Sequence, residues 1–116
     1  MTTETCVFCR IIAGEIPTEF LHNDELVVAF RDITPKAPTH ILLMPREHVA
    51  AAAVLSDADG PMLGRLFAVA AKLARETGIA ESGFRLVTNS GKGAGQSVPH
   101  LHFHLLGGRP MRWPPG

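Results

Sequence analysis

The chain has 116 residues, 46% of them hydrophobic, with 11 basic side chains balanced by 11 acidic ones. That length supports a single domain with a real core. The balanced charge argues against a surface built for nucleic acid or for a membrane, and no apolar run is long enough to span a bilayer.

The opening "MTTETCVFC" has no basic stretch leading into an apolar run, so no secretory leader is expected, and the reading is a cytosolic protein. Cys6 and Cys9 are the only cysteines. Their close spacing reads as a metal or redox pair in a reducing compartment rather than a disulfide framework.

The spacing predicts a short helix over residues 8–15, ended by Gly14 in a left-handed turn. The apolar and β-branched runs 18–21 and 26–32 flank the polar cluster "HNDE" and read as a hairpin, with His22 as a surface turn residue. Residues 39–45, "THILLMP", form a third strand bounded by Pro38 and Pro45. A long helix is expected over residues 56–78. Ser56 is its N-cap, Leu63, Leu66, Phe67, Ala70, Leu73 and Ala74 recur at helical spacing, and Gly78 is its stop. Two more strands, 84–89 and 100–106, are joined by "SGKGAGQSVP". The sum is an α+β domain: an antiparallel five-stranded sheet with one long and one short helix.

The last strand carries His100, His102 and His104 at alternate positions, so the three imidazoles share one face. Leu101, Phe103 and Leu105 then face the long helix, and the histidine face turns away from the main core. Such a row is an exposed polar face, a metal site or a ligand site. Same-face neighbours on a strand lie ~6.6 Å apart and the outer pair ~13 Å, against a zinc–nitrogen bond of ~2.1 Å. His100 and His104 therefore do not readily share one ion, although a neighbouring pair can.

Upstream, "SGKGAGQS" has glycines at alternate positions, a pattern that lets backbone N–H groups converge on an anion, or else simply a flexible loop. It matches neither the dinucleotide fingerprint nor the P-loop.

"HLHFHLL" matches the His-φ-His-φ-His-φ-φ pattern, with φ apolar, and resembles the histidine triad (HIT) family. The likeness spans nearly the whole chain, through "RIIAGEIP", "DITPKAPTHILLMPREH" and "GQSVPHLHFHLLGGRPMRWPPG", and the ending is similar to the Hint branch. The resemblance implies a homodimer whose two sheets join into one. It also implies hydrolysis of the P–N bond of purine nucleoside 5′-phosphoramidates through a nucleotidyl-histidine intermediate, with zinc in some bacterial members.

Carried onto this sequence, it makes His102 the nucleophile and His104 a phosphate ligand. Ser97 becomes a phosphate contact that helps protonate the leaving amine. Gly95 and Gln96 contribute to the phosphate wall, Asp32 binds the ribose, Ile33 lines the nucleoside pocket and Asn89 sits beside ribose and phosphate. His40 supports the nucleophile by a hydrogen-bond relay. Cys6, Cys9, His48 and His100 match a structural zinc site, closed because four protein ligands leave no open position. In the prolyl tail "RPMRWPPG", Trp113 is implied to reach the partner's site. A dinucleoside polyphosphate hydrolase and a non-enzymatic nucleotide-binding or scaffolding protein are the alternative functions.

Overall fold

The computed structural model describes residues 5–116. Residues 1–4, part of the segment read for a leader, lie outside them.

Helix α1 is Val7–Ile12, and its N-cap is Cys6, whose sulfur accepts the Cys9 N–H at 3.4 Å. The sheet comprises β1 (Phe20–Asn23), β2 (Val27–Arg31), β3 (Thr39–Pro45), β4 (Phe84–Thr88) and β5 (Phe103–Gly107). Its order is β1-β2-β3-β5-β4, with every pair antiparallel. Helix α2, Gly60–Glu76, lies against one face, and a four-residue helix α3, Ile79–Ser82, follows it.

The central strand β3 is buried along its whole length, so each face covers a core. On one face Ile41, Leu43, Leu101, Phe103 and Leu105 meet the α2 stripe of Leu66, Val69, Ala70, Leu73 and Ala74. That stripe follows the i, i+3, i+4 pattern of an amphipathic helix. On the other face Val28, Phe30, Leu42 and Met44 meet α1 through Cys6, Phe8 and Ile11. The histidine face therefore does turn away from α2, but onto a second small core. No helix among the described residues is long and apolar enough to cross a membrane.

Several local expectations change. Ser56 caps a short 3₁₀ turn, Asp57–Asp59, through a reciprocal capping box with Asp59, and α2 begins after it at Gly60. Phe67 lies at the border of the apolar stripe, 53% exposed and edge-on to Phe103, while Val69 takes the core place. Gly78 does end the helix, in the left-handed region at φ 80°.

The largest change concerns the last strand, which begins at Phe103 instead of residue 100. Pairing stops there because the neighbouring backbone groups have other partners. Pro45 has no N–H, its carbonyl accepts from the His100 ring, and the Thr88 hydroxyl takes the His102 carbonyl at 2.7 Å. Only His104 of the three histidines lies in regular sheet.

His22 is not a surface turn residue. It sits on β1 with its side chain 9% exposed. Lys72 Nζ lies 3.3 Å from its Nδ1, so Nδ1 accepts and Nε2–H donates to Asp24 at 2.6 Å. Asp24 also accepts from Arg65 of α2 and from the N–H groups of Leu26 and Val27, tying the hairpin to the helix. Burial raises the Asp24 pKa, but these donors outweigh it and hold the carboxyl far below its ordinary 3.8. A depressed carboxylate contributes stability above the unfolded pKa and loses it as pH falls toward the folded one. Asp24→Ala is thus expected to cost about 2–3 kcal/mol at pH 7, in the range for hydrogen bonds to charged groups. The gap from wild type should narrow below about pH 4, as denaturant melts across pH would record.

Candidate active site and metal centre

His100 and His102 are 0% and 5% exposed, so neither is a solvated surface histidine. A carbonyl oxygen only accepts hydrogen bonds, and this decides how each ring is protonated. His102 Nδ1 lies 2.7 Å from the His100 carbonyl and donates to it, so in the neutral ring Nε2 keeps a lone pair. His100 Nε2 lies 2.9 Å from the Pro45 carbonyl and donates in turn, so its Nδ1 keeps the lone pair.

A third chain runs through β3. The Lys36 N–H donates to His40 Nδ1 at 3.0 Å, so His40 Nε2 carries the proton. That Nε2–H donates to His104 Nδ1 at 2.9 Å, with an Asp32 oxygen 3.4 Å away. His104 therefore keeps a proton on Nε2 and acts as a donor there. The cross-strand register makes this pairing: His104 stands opposite Leu42, two residues along β3 from His40. His40 thus contacts His104, while the rings of His102 and His104 lie 5.2 Å apart, centroid to centroid.

Burial pushes His40 and His104 below the usual histidine value of 6.5. The Asp32 charge opposes this in both, Lys36 reinforces it in His40, and His102 and His40 reinforce it in His104. The relay is therefore neutral at pH 7. An NMR titration is expected to give both imidazoles midpoints below 6.5, and Asp32→Asn should move them lower still. Midpoints above 6.5 would contradict a neutral relay.

Two recesses meet at Asp32. One is an apolar cavity of about 630 Å³, lined by residues including Phe8, Ile11, Phe30, Leu42 and the 96% exposed Ile33. The other is a polar cleft of about 260 Å³ with Thr34, Lys36, His40, Asn89 and His104. The larger has the size and lining of a small-molecule site. Phe8, Phe30 and Leu42 were not singled out in the sequence, where they read as ordinary core residues. Their one signal is that Phe30 and Leu42 fall on the sheet face that carries His40, against which α1 sets Phe8.

The glycine loop departs from a simple nest. It winds a 3₁₀ turn, Lys92–Ala94, and the N–H groups of Gly95 and Gln96 donate to Lys92 and Gly91. The Gly91 N–H is taken by the Gln96 side chain at 2.8 Å. Ser97 follows, exposed, and among the described residues it makes no hydrogen bond to His102 or His104.

Cys6, Cys9, His48 and His100 converge with all four ligand atoms within 4.8 Å of one another. His100 Nδ1 lies 3.4 Å from Cys6 Sγ, 3.5 Å from Cys9 Sγ and 3.2 Å from His48 Nδ1, and Cys9 Sγ lies 3.3 Å from His48 Nδ1. The edges of a tetrahedron with zinc-length bonds are about 3.4–3.8 Å. Two nitrogens and two sulfurs at that spacing, with the other nitrogen of His100 donating to a carbonyl, fit a metal. Burial, with Cys6 alongside, pushes the Cys9 thiol up to about 11, so a metal there must displace a proton.

An antiparallel five-stranded sheet with a histidine cluster and a recess of small-molecule size defines the class. The HIT domain model matches residues 13–111, and the chain belongs to that family. It is 48% identical over 108 residues to a purine nucleoside phosphoramidase of Escherichia coli strain K12, covering 93% of this chain and 91% of that protein. A HIT family hydrolase from Legionella pneumophila superposes with a TM-score of 0.94 at 48% identity, covering 97% of this chain and 100% of the other. A histidine triad protein from Clostridium difficile gives a TM-score of 0.90 at 38% identity, with 97% of each chain covered.

Proposed function

We propose that this protein hydrolyses the P–N bond of purine nucleoside 5′-phosphoramidates through a nucleotidyl-histidine intermediate. The observation that carries this reading is the pairing of tautomers: the neutral His102 ring keeps its lone pair on Nε2, while His104, in the polar cleft with its ring 5.2 Å away, carries its proton there. One ring is prepared to attack and the other to hold an oxyanion.

In this reading the purine occupies the apolar cavity against Phe8 and Ile33. Asp32, at the junction, accepts from the ribose hydroxyls, with Asn89 beside ribose and phosphate. His102 Nε2 attacks the α-phosphorus, the P–N bond breaks, and the amine leaves with a proton supplied with the help of Ser97. Water then cleaves the histidine–phosphorus bond, giving the nucleoside monophosphate and a free ring. His104 donates to a phosphoryl oxygen, and His40, backed by the Lys36 amide, holds His104 in the donor tautomer. Gly95 and Gln96 shape the loop that carries Ser97.

Zinc is held by Cys6, Cys9, His48 and His100, where it supplies a closed structural cross-link between α1 and two loops. A reducing compartment such as the cytosol suits their thiolates. The active form in this reading is a homodimer joined along edge strand β4. Phe84 on that strand and Phe67 of α2 are 41% and 53% exposed, and a bare edge invites pairing. The irregular tail is tied back by Arg85 to the Arg112 carbonyl at 2.8 Å, and its Trp113, 85% exposed, shapes the partner's leaving-group side.

Intact-mass spectrometry after rapid mixing with adenosine 5′-phosphoramidate tests the reaction. A transient adenylyl adduct mapped to His102 is the expected result. Turnover of diadenosine polyphosphates in strong preference to phosphoramidates, or binding with neither adduct nor product, would overturn it.

A further inference from the structure

His100 uses two of its groups for two neighbours. Its ring Nδ1 faces Cys6, Cys9 and His48, and its main-chain carbonyl accepts the Nδ1–H of His102. The carbonyl takes the Nδ1 proton and so places the lone pair of the neutral His102 ring on Nε2, and the aim of the nucleophile depends on where the His100 backbone sits.

Three further contacts hold that backbone to the metal ligands. The His100 ring donates to the carbonyl of Pro45, three residues before His48. The N–H of Leu101 donates to the carbonyl of Val49, just after His48, at 2.6 Å. Phe8 lies between the two cysteines on α1 and sets its ring edgewise to both histidines, with centroids 5.9 Å from His100 and 5.0 Å from His102. Every segment that bears a cluster ligand therefore touches either His102 or the residue that orients it. His100 and His102 also lie outside the β-ladder, so sheet pairing does not hold them in its place.

We propose that the Cys6–Cys9–His48–His100 cluster is a positioning device for His102 as well as a cross-link. Filling it fixes the carbonyl that sets the nucleophile's tautomer, and metal content then governs how fast His102 is nucleotidylated. Phe8 and His100 are positioning residues in this scheme. The proposal rests on His102 being the nucleophile, and it extends that reading to a control of the site by the metal state of the chain.

The test uses the full-length, zinc-loaded protein and two readouts: the ¹⁵N shifts of the His102 ring and the single-turnover rate of adduct formation at saturating phosphoramidate. In the loaded protein His102 should show Nδ1 protonated and Nε2 bare. Withdrawing zinc with a chelator, while circular dichroism confirms the fold, should bring the two nitrogen shifts toward each other. It should also slow adduct formation by about 10–100-fold, the usual effect of losing an orienting partner, with recovery on adding zinc.

If the metal-free chain unfolds, Phe8→Leu with zinc still at one per chain provides the second arm. The same loosening of the tautomer and a slower limiting rate are expected there. An unchanged tautomer and rate in the folded zinc-free chain, or in zinc-loaded Phe8→Leu, overturns the coupling. Absence of any His102 adduct in the loaded wild type overturns the nucleophile reading instead, and with it the kinetic half of this proposal.

Discussion

His102→Ala is expected to lower phosphoramidate turnover by roughly 10⁴-fold or more, the scale seen when a covalent nucleophile is removed from a hydrolase. No neighbouring group can substitute. His104 has its Nδ1 occupied by His40 and presents a proton at Nε2, while the His100 ring is committed to the cysteine cluster. Nucleotide binding should persist, because Phe8, Ile33 and Asp32 are untouched by the change. Calorimetry with the nucleoside monophosphate and steady-state rates on the same preparation would separate the two effects. A variant retaining near-normal turnover would move the nucleophile elsewhere.

Loss of the metal is expected to have the largest effect on stability. Cys9→Ser replaces a thiolate ligand by a hydroxyl, a poor donor for zinc. With metal at about a thousand times its dissociation constant, binding stabilises the native state by roughly 4 kcal/mol. For a domain of this size that corresponds to a fall in Tm of about 12–20 °C. The cluster joins α1 to the segments around His48 and His100, so its loss removes a cross-link among three pieces of chain. Purified wild type should carry about one zinc per chain by elemental analysis. A metal-free wild type with the same Tm as Cys9→Ser would confirm that the loss is the metal's, whereas equal Tm values with and without zinc would remove its structural role.

The elements that position the site were readable where local pattern and punctuation agree. Pro38 and Pro45 bracket β3, and Gly78 ends the long helix. The Leu101, Phe103 and Leu105 side meets α2 as alternation requires. Reading failed where a side chain had competing partners. Alternation alone extends the last strand back to His100, but the His100 ring occupies the Pro45 carbonyl and the Thr88 hydroxyl occupies the His102 carbonyl, groups that a ladder would use. His22 sits in a polar cluster that reads as a turn, yet Asp24 folds the chain one step later and leaves His22 on β1 against α2. The glycine pattern suggested converging amides, while the Gln96 side chain and the 3₁₀ turn take several of them inward.

By itself the sequence determined the α+β pattern, the shared face of the histidines and the presence of a Cys-x-x-Cys pair. These follow from backbone geometry, which repeats over two to four residues and is written locally. The tertiary structure decided what each imidazole does. The proton on His102 is set by a neighbouring carbonyl, that on His104 by a chain reaching back to the Lys36 amide, and the lone pair on His100 by Pro45. It also formed the cavity, from Phe8, Phe30 and Leu42 on three separate elements. Protonation and burial depend on groups brought together from distant parts of the chain. No local period encodes them, and they exist only once the sheet has closed over α1.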